Sequence, residues 1–215
     1  MSKAGWFVVS LTVIAAGLLL ASLKLPLWQM RLEAPQYRDQ EALHVAVHPN
    51  ALRGDLKELT VLDQYIGVHV PPTLPQFKWL PAALTTGAVV GLLAGLLPGL
   101  ARRWTLVAGV AALAVALTGA AVQAKAQMHD IGHHRAARTV LVGVQDFTPP
   151  FLGTSKIAQF EVSSRFGLGA WLIGAAMALQ LGAAWASRSP SRETSPQRPV
   201  QDAGRLALAG IESHS

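Results

Sequence analysis

The sequence predicts an all-α membrane protein with four transmembrane helices and a small mixed α/β cap. Of the 215 residues, 51% are apolar and only 14% are charged, and the apolar residues come in blocks. Four blocks reach or approach the roughly 18 to 20 residues that cross about 30 Å of hydrocarbon, at residues 6–23, 80–100, 105–122 and 166–186. None of the four contains an ionisable side chain. This pattern is typical of membrane proteins and argues against a single soluble core.

The blocks predict six segments along the chain. These are transmembrane helix 1 at 1–23, a periplasmic loop at 24–78, transmembrane helices 2 and 3 at 79–122, a periplasmic loop at 123–165, transmembrane helix 4 at 166–187 and a disordered cytoplasmic tail at 188–215. Helices 2 and 3 are joined by a tight turn at Arg102 and Arg103. The first segment could instead be a cleaved signal peptide, since Lys3 precedes an apolar run. Its length and the lack of an A-x-A pattern at residues 20–24 favour an uncleaved anchor.

The basic residues predict the orientation in the membrane. Lys3, the pair Arg102 and Arg103, and the arginines of the tail fall on one side if the four helices alternate. Short segments rich in Lys and Arg stay in the cytoplasm, so we expect a multi-pass protein of the bacterial inner membrane with both termini cytoplasmic. The net charge of +6 is spread over the chain, which disfavours nucleic-acid binding. All six tryptophans lie near predicted helix ends, as expected at membrane boundaries.

The two long loops are expected to fold together into the periplasmic cap. Apolar and polar residues alternate over 43–47, which predicts a strand, and Pro49 with Asn50 predicts a turn. A capping box at 55–58, followed by leucines at helical spacing as far as Gly67, predicts a short amphipathic helix. The second loop contains a turn-rich stretch at 148–153 and is expected to be ordered against the first.

Four glycines recur at every fourth residue of the second apolar block: Gly87, Gly91, Gly95 and Gly99. This spacing places them on one helix face, where a neighbouring backbone can approach closely. Packing against the third helix within the chain is one interpretation. A ligand groove, or a seam for a homo- or hetero-oligomer, is the other.

Six of the seven histidines lie in the two long loops: His44, His48, His69, His129, His133 and His134. Since the chain has no cysteine, metal binding there would use His, Met or carboxylate, and imidazole with thioether suits copper.

The best local cluster is Met128, His129, His133 and His134, with His69 as a further candidate ligand. If the third helix continues past Val122, His129 and His133 stand one turn apart, although Gly132 disfavours continuation. The alternative is a solvated polar end of a membrane helix. His44 and His48 share a strand face at a separation of roughly 13 Å, which is too far for both to bind one ion.

Several function classes lack their sequence patterns. The chain has no P-loop, G-x-S-x-G or H-E-x-x-H motif, so we expect no catalysis and no organic cofactor. A transporter would be expected to carry ionisable residues at membrane depth, and the spans offer only Thr, Ser and Gln180. A quinol-linked haem subunit would need His ligands in the spans or a CxxCH site.

Three segments resemble a family of small polytopic bacterial membrane proteins. They are residues 27–37, which include the A-P-Q-Y motif, residues 54–67, which end in Y-I-G, and residues 130–153, which include D-I-G-H and P-P-x-x-G. Where the family pattern reads N-H-Y-I-G-M, this chain has Gln64 and Val68 in place of His and Met. Arg38 replaces the proline that follows A-P-Q-Y.

Members of this family are often encoded beside nitrous-oxide reductase and its copper-maturation genes. The resemblance implies an accessory protein that handles copper for a periplasmic or membrane metalloprotein partner. A metal-free membrane anchor or scaffold of an electron-transfer complex is the alternative.

Overall fold

The computed structural model describes residues 3–33, 42–57, 74–133, 150–157 and 160–188. Four α-helices dominate this part of the chain: α1 (Lys3–Ser22), α2 (Trp79–Leu96), α3 (Gly99–His133) and α4 (Leu168–Ala186). A 3₁₀ turn at Pro75–Phe77 leads into α2. Each helix is long and apolar enough to cross a membrane, with candidate spans Gly5–Ser22, Pro75–Leu96, Gly99–His129 and Leu168–Ala186. The predicted set of four long apolar helices is confirmed.

The four helices pack as a ring in which α1 contacts α2 and α4, and α3 contacts the same two helices. Two buried clusters hold the ring together. The smaller cluster draws on all four helices at the end where α1 begins, through Val8, Ala94, Leu106, Ala183 and Ala184. The larger cluster fills the rest of the ring with Ala15, Leu19, Leu84, Leu113, Ile173 and other side chains. Large apolar side chains such as Leu93, Leu96, Val115 and Val122 point outward, as suits a surface in contact with hydrocarbon.

Two glycines of the stripe on α2 face polar side chains of neighbouring helices. A Cβ atom on Gly91 would collide with the Gln180 amide of α4, and one on Gly95 would collide with the Thr12 hydroxyl of α1. Thr12 donates its hydroxyl hydrogen to the Val9 carbonyl at 2.9 Å. Gln180 is 2% exposed, and its Nε2 has no hydrogen-bond partner among the described residues. At these two positions the stripe is therefore filled by the chain itself.

Helix α3 differs from the sequence prediction at both ends. It begins at Gly99, so Arg102 and Arg103 lie in its first turn, and the connection from α2 shrinks to Leu97 and Pro98. Gly99 adopts a φ of +42°, which glycine tolerates at a sharp reversal. The helix then continues to His133, because an isolated glycine such as Gly132 costs a helix only about 1 kcal/mol. Its 35 residues span roughly 52 Å, which exceeds a hydrocarbon core of about 30 Å.

A five-stranded antiparallel sheet is built from both long loops. Its strands are β1 (Trp28–Glu33), β2 (Leu43–Val47), β3 (Leu52–Gly54), β4 (Gly153–Ile157) and β5 (Phe160–Phe166), in the order β3-β2-β1-β5-β4. Strand β2 matches the predicted strand at 43–47. The central pairing of β1 with β5, from Trp28 opposite Phe166 to Glu33 opposite Glu161, joins the two loops and confirms that they are ordered against each other. The predicted helix from Asp55 to Gly67 lies mostly outside the described residues.

Main-chain hydrogen bonds fix the sheet to one end of the bundle. The amide groups of Gly167 and Gly169, at the start of α4, donate to the carbonyls of Leu27 and Pro26 at 2.9 Å each. A Cβ atom on Gly167 would overlap the Pro26 carbonyl, so this contact requires glycine. The sheet therefore lies at the end of the bundle where α1 ends and α4 begins.

The tryptophans divide into two groups, in contrast to the expectation that all six mark the membrane boundary. Five are exposed near helix ends: Trp6, Trp104 and Trp185 at one end of the bundle, and Trp79 and Trp171 at the end that carries the sheet. Trp28 is only 8% exposed, and its indole N–H donates to the Phe151 carbonyl at 2.6 Å. Trp28 lies close to the end of α1 because it belongs to β1, where its side chain is part of the apolar face.

Candidate metal site and polar sheet face

The end of α3 carries the predicted metal ligands that the structure describes. Met128 is half-buried and His129 is exposed, and the helix continues for one further turn to His133. Gln76 in the 3₁₀ turn donates its side-chain amide hydrogen to the Gln127 side-chain oxygen at 2.6 Å. This bond fixes the end of α3 beside the start of α2, so His129 and His133 belong to a segment held on the same end of the bundle as the sheet.

The structure does not describe the remaining predicted ligands. His69 and His134 lie outside the described residues, and so do the side chains of α3 beyond His129. Within the described ranges, no group of three or more His, Cys, Asp and Glu side chains is arranged to hold a metal ion. The part of the site that the structure does describe is the exposed imidazole of His129 and the half-buried thioether of the preceding Met128, and these donor types suit a soft ion such as Cu(I).

His44 and His48 lie in the sheet region and have different surroundings. His44 is exposed within β2, and its main-chain N–H donates to the Asp55 carboxylate at 2.9 Å. His48 follows the end of β2, is half-buried, and donates its main-chain N–H to the Ala51 carbonyl at 2.8 Å. Burial, and then the positive charge of Arg53, lowers the pKa of the His48 imidazole below its ordinary value. Its neutral form therefore prevails at higher proton concentrations than for an ordinary histidine.

The sheet has one apolar and one polar face. Residues directly opposite each other on neighbouring strands share a face. The apolar face contains Trp28, Val45, Leu52 and Val162, which are buried. The register places on the other face Gln29, Arg31, Glu33, His44, Arg53, Thr154, Lys156, Glu161, Ser163 and Arg165. We call this set the polar sheet face.

The polar sheet face carries more positive than negative charge. Four of its residues are cationic and two are anionic, and all six are exposed. Arg31 pairs with Glu33 at 2.9 Å, while Arg165 donates to the Gln29 side-chain oxygen at 3.3 Å. Lys156 stands opposite Glu161 in the register. Exposed pairs of this kind contribute little to stability.

The sequence indicates this face through two alternating stretches beside the apolar blocks. Trp28, Met30 and Leu32 alternate with Gln29, Arg31 and Glu33, and residues 160–166 alternate likewise except at Ser164. Period-2 alternation of this kind is typical of a half-buried strand. Both stretches directly adjoin apolar helices, which hides them in a hydropathy profile.

A comparison with known protein families finds no family model that matches the chain, and a comparison with curated proteins finds no match either. The family resemblance of the three segments therefore stays an expectation.

Proposed function

We propose that this chain is a non-catalytic accessory protein of the bacterial inner membrane that handles copper for a periplasmic metalloenzyme such as nitrous-oxide reductase. The observation that supports it best is the continuity of α3 as far as His133. Because the helix does not end at Val122, His129 and His133 are one turn apart. Met128 precedes His129 in the sequence, and the family resemblance implies a role in copper handling.

In this proposal the sheet and the end of α3 face the periplasm. Arg102, Arg103 and Arg188 lie at the opposite end of the bundle, and positively charged short segments stay in the cytoplasm. Both chain termini are then cytoplasmic. Protease added to intact spheroplasts should leave a C-terminal tag uncut. Cleavage of the tag from outside would contradict the proposed topology.

The ligand chemistry fits a transient copper site. Thioether and imidazole bind Cu(I), and imidazole also binds Cu(II). A site with two or three donors holds an ion less tightly than a closed four-ligand site does, which suits transfer to a partner. His134 and His69 are the proposed additional donors.

Replacing His129 and His133 by Ala should abolish stoichiometric Cu(I) binding by the detergent-purified protein. His129 is exposed, so its loss empties no core and should cost little stability. Losing two donors from a site of three or four should collapse the affinity. The measurement is the number of copper ions bound per chain under reducing conditions, in the presence of a competing chelator.

The matched control is His44→Ala, which removes an exposed imidazole from the sheet and should leave the copper content unchanged. Only traces of copper in the wild-type protein, or equal affinity in the double variant, would contradict the copper proposal.

A second candidate function is a metal-free anchor or scaffold, and the polar sheet face favours it. Arg53, Lys156 and Arg165 of this face have no carboxylate partner within salt-bridge distance among the described residues, and a partner with an acidic surface could supply one. Lys156→Glu together with Arg165→Glu should then reduce the partner recovered from native membranes. Recovery of a partner without copper, lost in this variant and kept in the His129/His133 variant, would favour the scaffold.

A further inference from the structure

Among the described residues, the end of the bundle opposite the sheet carries positive charge without negative charge. Arg102 and Arg103 lie in the first turn of α3, and Arg188 follows the end of α4. The acidic residues of the described ranges all belong to the other end, in the sheet region and the last turn of α3: Glu33, Asp55, Asp130 and Glu161. Within the described chain, these arginines therefore face no carboxylate.

Stability of α3 does not explain the pair Arg102 and Arg103. The N-terminus of a helix carries a partial positive charge, so cations in the first turn are unfavourable. Arg102 is nevertheless held in place, because its Nε–H donates to the Leu97 carbonyl at 2.7 Å. The Arg103 guanidinium lies over the Trp104 ring at 5.8 Å from the ring centre. Both side chains are thus oriented, and they lie in a place where the fold itself gains little from their charge.

The surface at this end of the bundle is apolar and carries three exposed indoles. Trp6, Trp104 and Trp185 are 63%, 61% and 67% exposed, and Leu96 and Leu100 beside the α2–α3 connection are even more so. The buried cluster of Val8, Leu106 and Ala183 places the three indoles at the same end of the ring. Indoles prefer the level of lipid headgroups, and the leucines suit acyl chains. A ligand here needs a negative headgroup and an apolar tail.

We propose that Arg102 and Arg103, with the exposed Trp104 indole beside Arg103, bind an anionic phospholipid in preference to a zwitterionic one. The guanidinium groups bind the phosphate through paired N–H donors, and the acyl chains lie along the exposed face of α2 and α3. Basic groups between membrane helices recognise anionic headgroups in this way. The site is independent of the copper proposal, since it lies at the other end of the molecule.

The test measures which lipid the full-length protein retains. Purified protein is incubated in detergent with equal amounts of dioleoyl phosphatidylglycerol and dioleoyl phosphatidylcholine, separated by gel filtration, and its bound lipid quantified by mass spectrometry. These two lipids differ only in the headgroup. We expect the wild-type protein to retain phosphatidylglycerol preferentially, by on the order of fivefold for each arginine. Arg102→Gln with Arg103→Gln should bring the ratio close to one.

The matched control is Lys78→Gln with Lys125→Gln, which removes two exposed cations from the end that carries the sheet and should keep the preference. Equal retention of the two lipids by wild-type protein would overturn the proposal, as would an equal loss in the control. Displacement of the lipid by millimolar inorganic phosphate would also overturn it, because the site would then bind a free anion. If the arginine variant aggregates, the salt dependence of phosphatidylglycerol retention by the wild-type protein tests the proposal instead. An ionic contact must weaken as the salt concentration rises, so retention that does not change with salt would overturn it.

Discussion

The helical bundle and the sheet are stabilised by different parts of the chain. In the bundle, side chains determine the fit: Gly91 and Gly95 leave room for Gln180 and Thr12 on neighbouring helices. In the sheet, main-chain hydrogen bonds between β1 and β5 join segments that are more than a hundred residues apart. The packing of the bundle therefore depends on the small size of a few residues. The sheet depends on the alternation of apolar and polar residues along its strands, which leaves one face free to carry charge.

This difference explains where each region tolerates change. A bundle in lipid gains no hydrophobic driving force between its helices, so close packing of small residues provides the attraction. A sheet in water gains from burying one apolar face and can vary the other. Substitutions should therefore be least tolerated at the junction between the two regions, where the start of a helix packs against a main-chain carbonyl group that cannot move aside.

Gly167→Ala should have the largest effect of the substitutions that test this comparison. Its new methyl group would overlap the Pro26 carbonyl, which is main chain and belongs to the same junction. Overpacking of this kind costs about 1 to 3 kcal/mol, and denaturation in detergent should show the loss. Gly174→Ala in α4 is the control, since nothing lies within 4 Å of its Cβ position. Equal stability of the two variants would show that the junction is not rigid.

Trp28→Phe should have the next largest effect. It keeps an aromatic ring but removes the N–H donor to the Phe151 carbonyl, and leaving that acceptor unpaired costs about 1 to 3 kcal/mol. Trp171→Phe changes an exposed indole of α4 and should be close to neutral. Limited proteolysis of the sheet region, together with thermal unfolding, measures both. A larger loss of stability in the Trp171 variant would contradict the division of the tryptophans into one buried and five exposed residues.

Gln180→Met should have the smallest effect, and its sign should be opposite. The Gln180 Nε2 is buried without a hydrogen-bond partner among the described residues, so an apolar side chain of similar length removes a desolvation penalty. We expect a gain of about 1 kcal/mol in unfolding free energy. A loss instead would mean that the amide has a partner in the membrane, such as a bound water or another chain.

The sequence by itself predicted the number of long apolar helices, the strand at Leu43–Val47 and the ordering of the two long loops against each other. Block hydropathy determines the helices because about 30 Å of hydrocarbon requires an uninterrupted apolar segment. The alternation of β2 is equally local. The histidines near the end of α3 were also visible in the sequence, because the hydropathy of the third block ends shortly before them.

Tertiary structure alone decided the rest, because those features depend on residues that are distant in the chain. The role of Trp28 follows from an acceptor at Phe151, and the neighbours of Gly91 and Gly95 come from α4 and α1. The polar sheet face exists only because β1 pairs with both β2 and β5, in registers that bring Arg31, His44 and Arg165 to one side. A one-residue shift of β2 or β5 against β1 would turn the side chains of the shifted strand to the other face. Local sequence cannot specify which partner strand fixes the register.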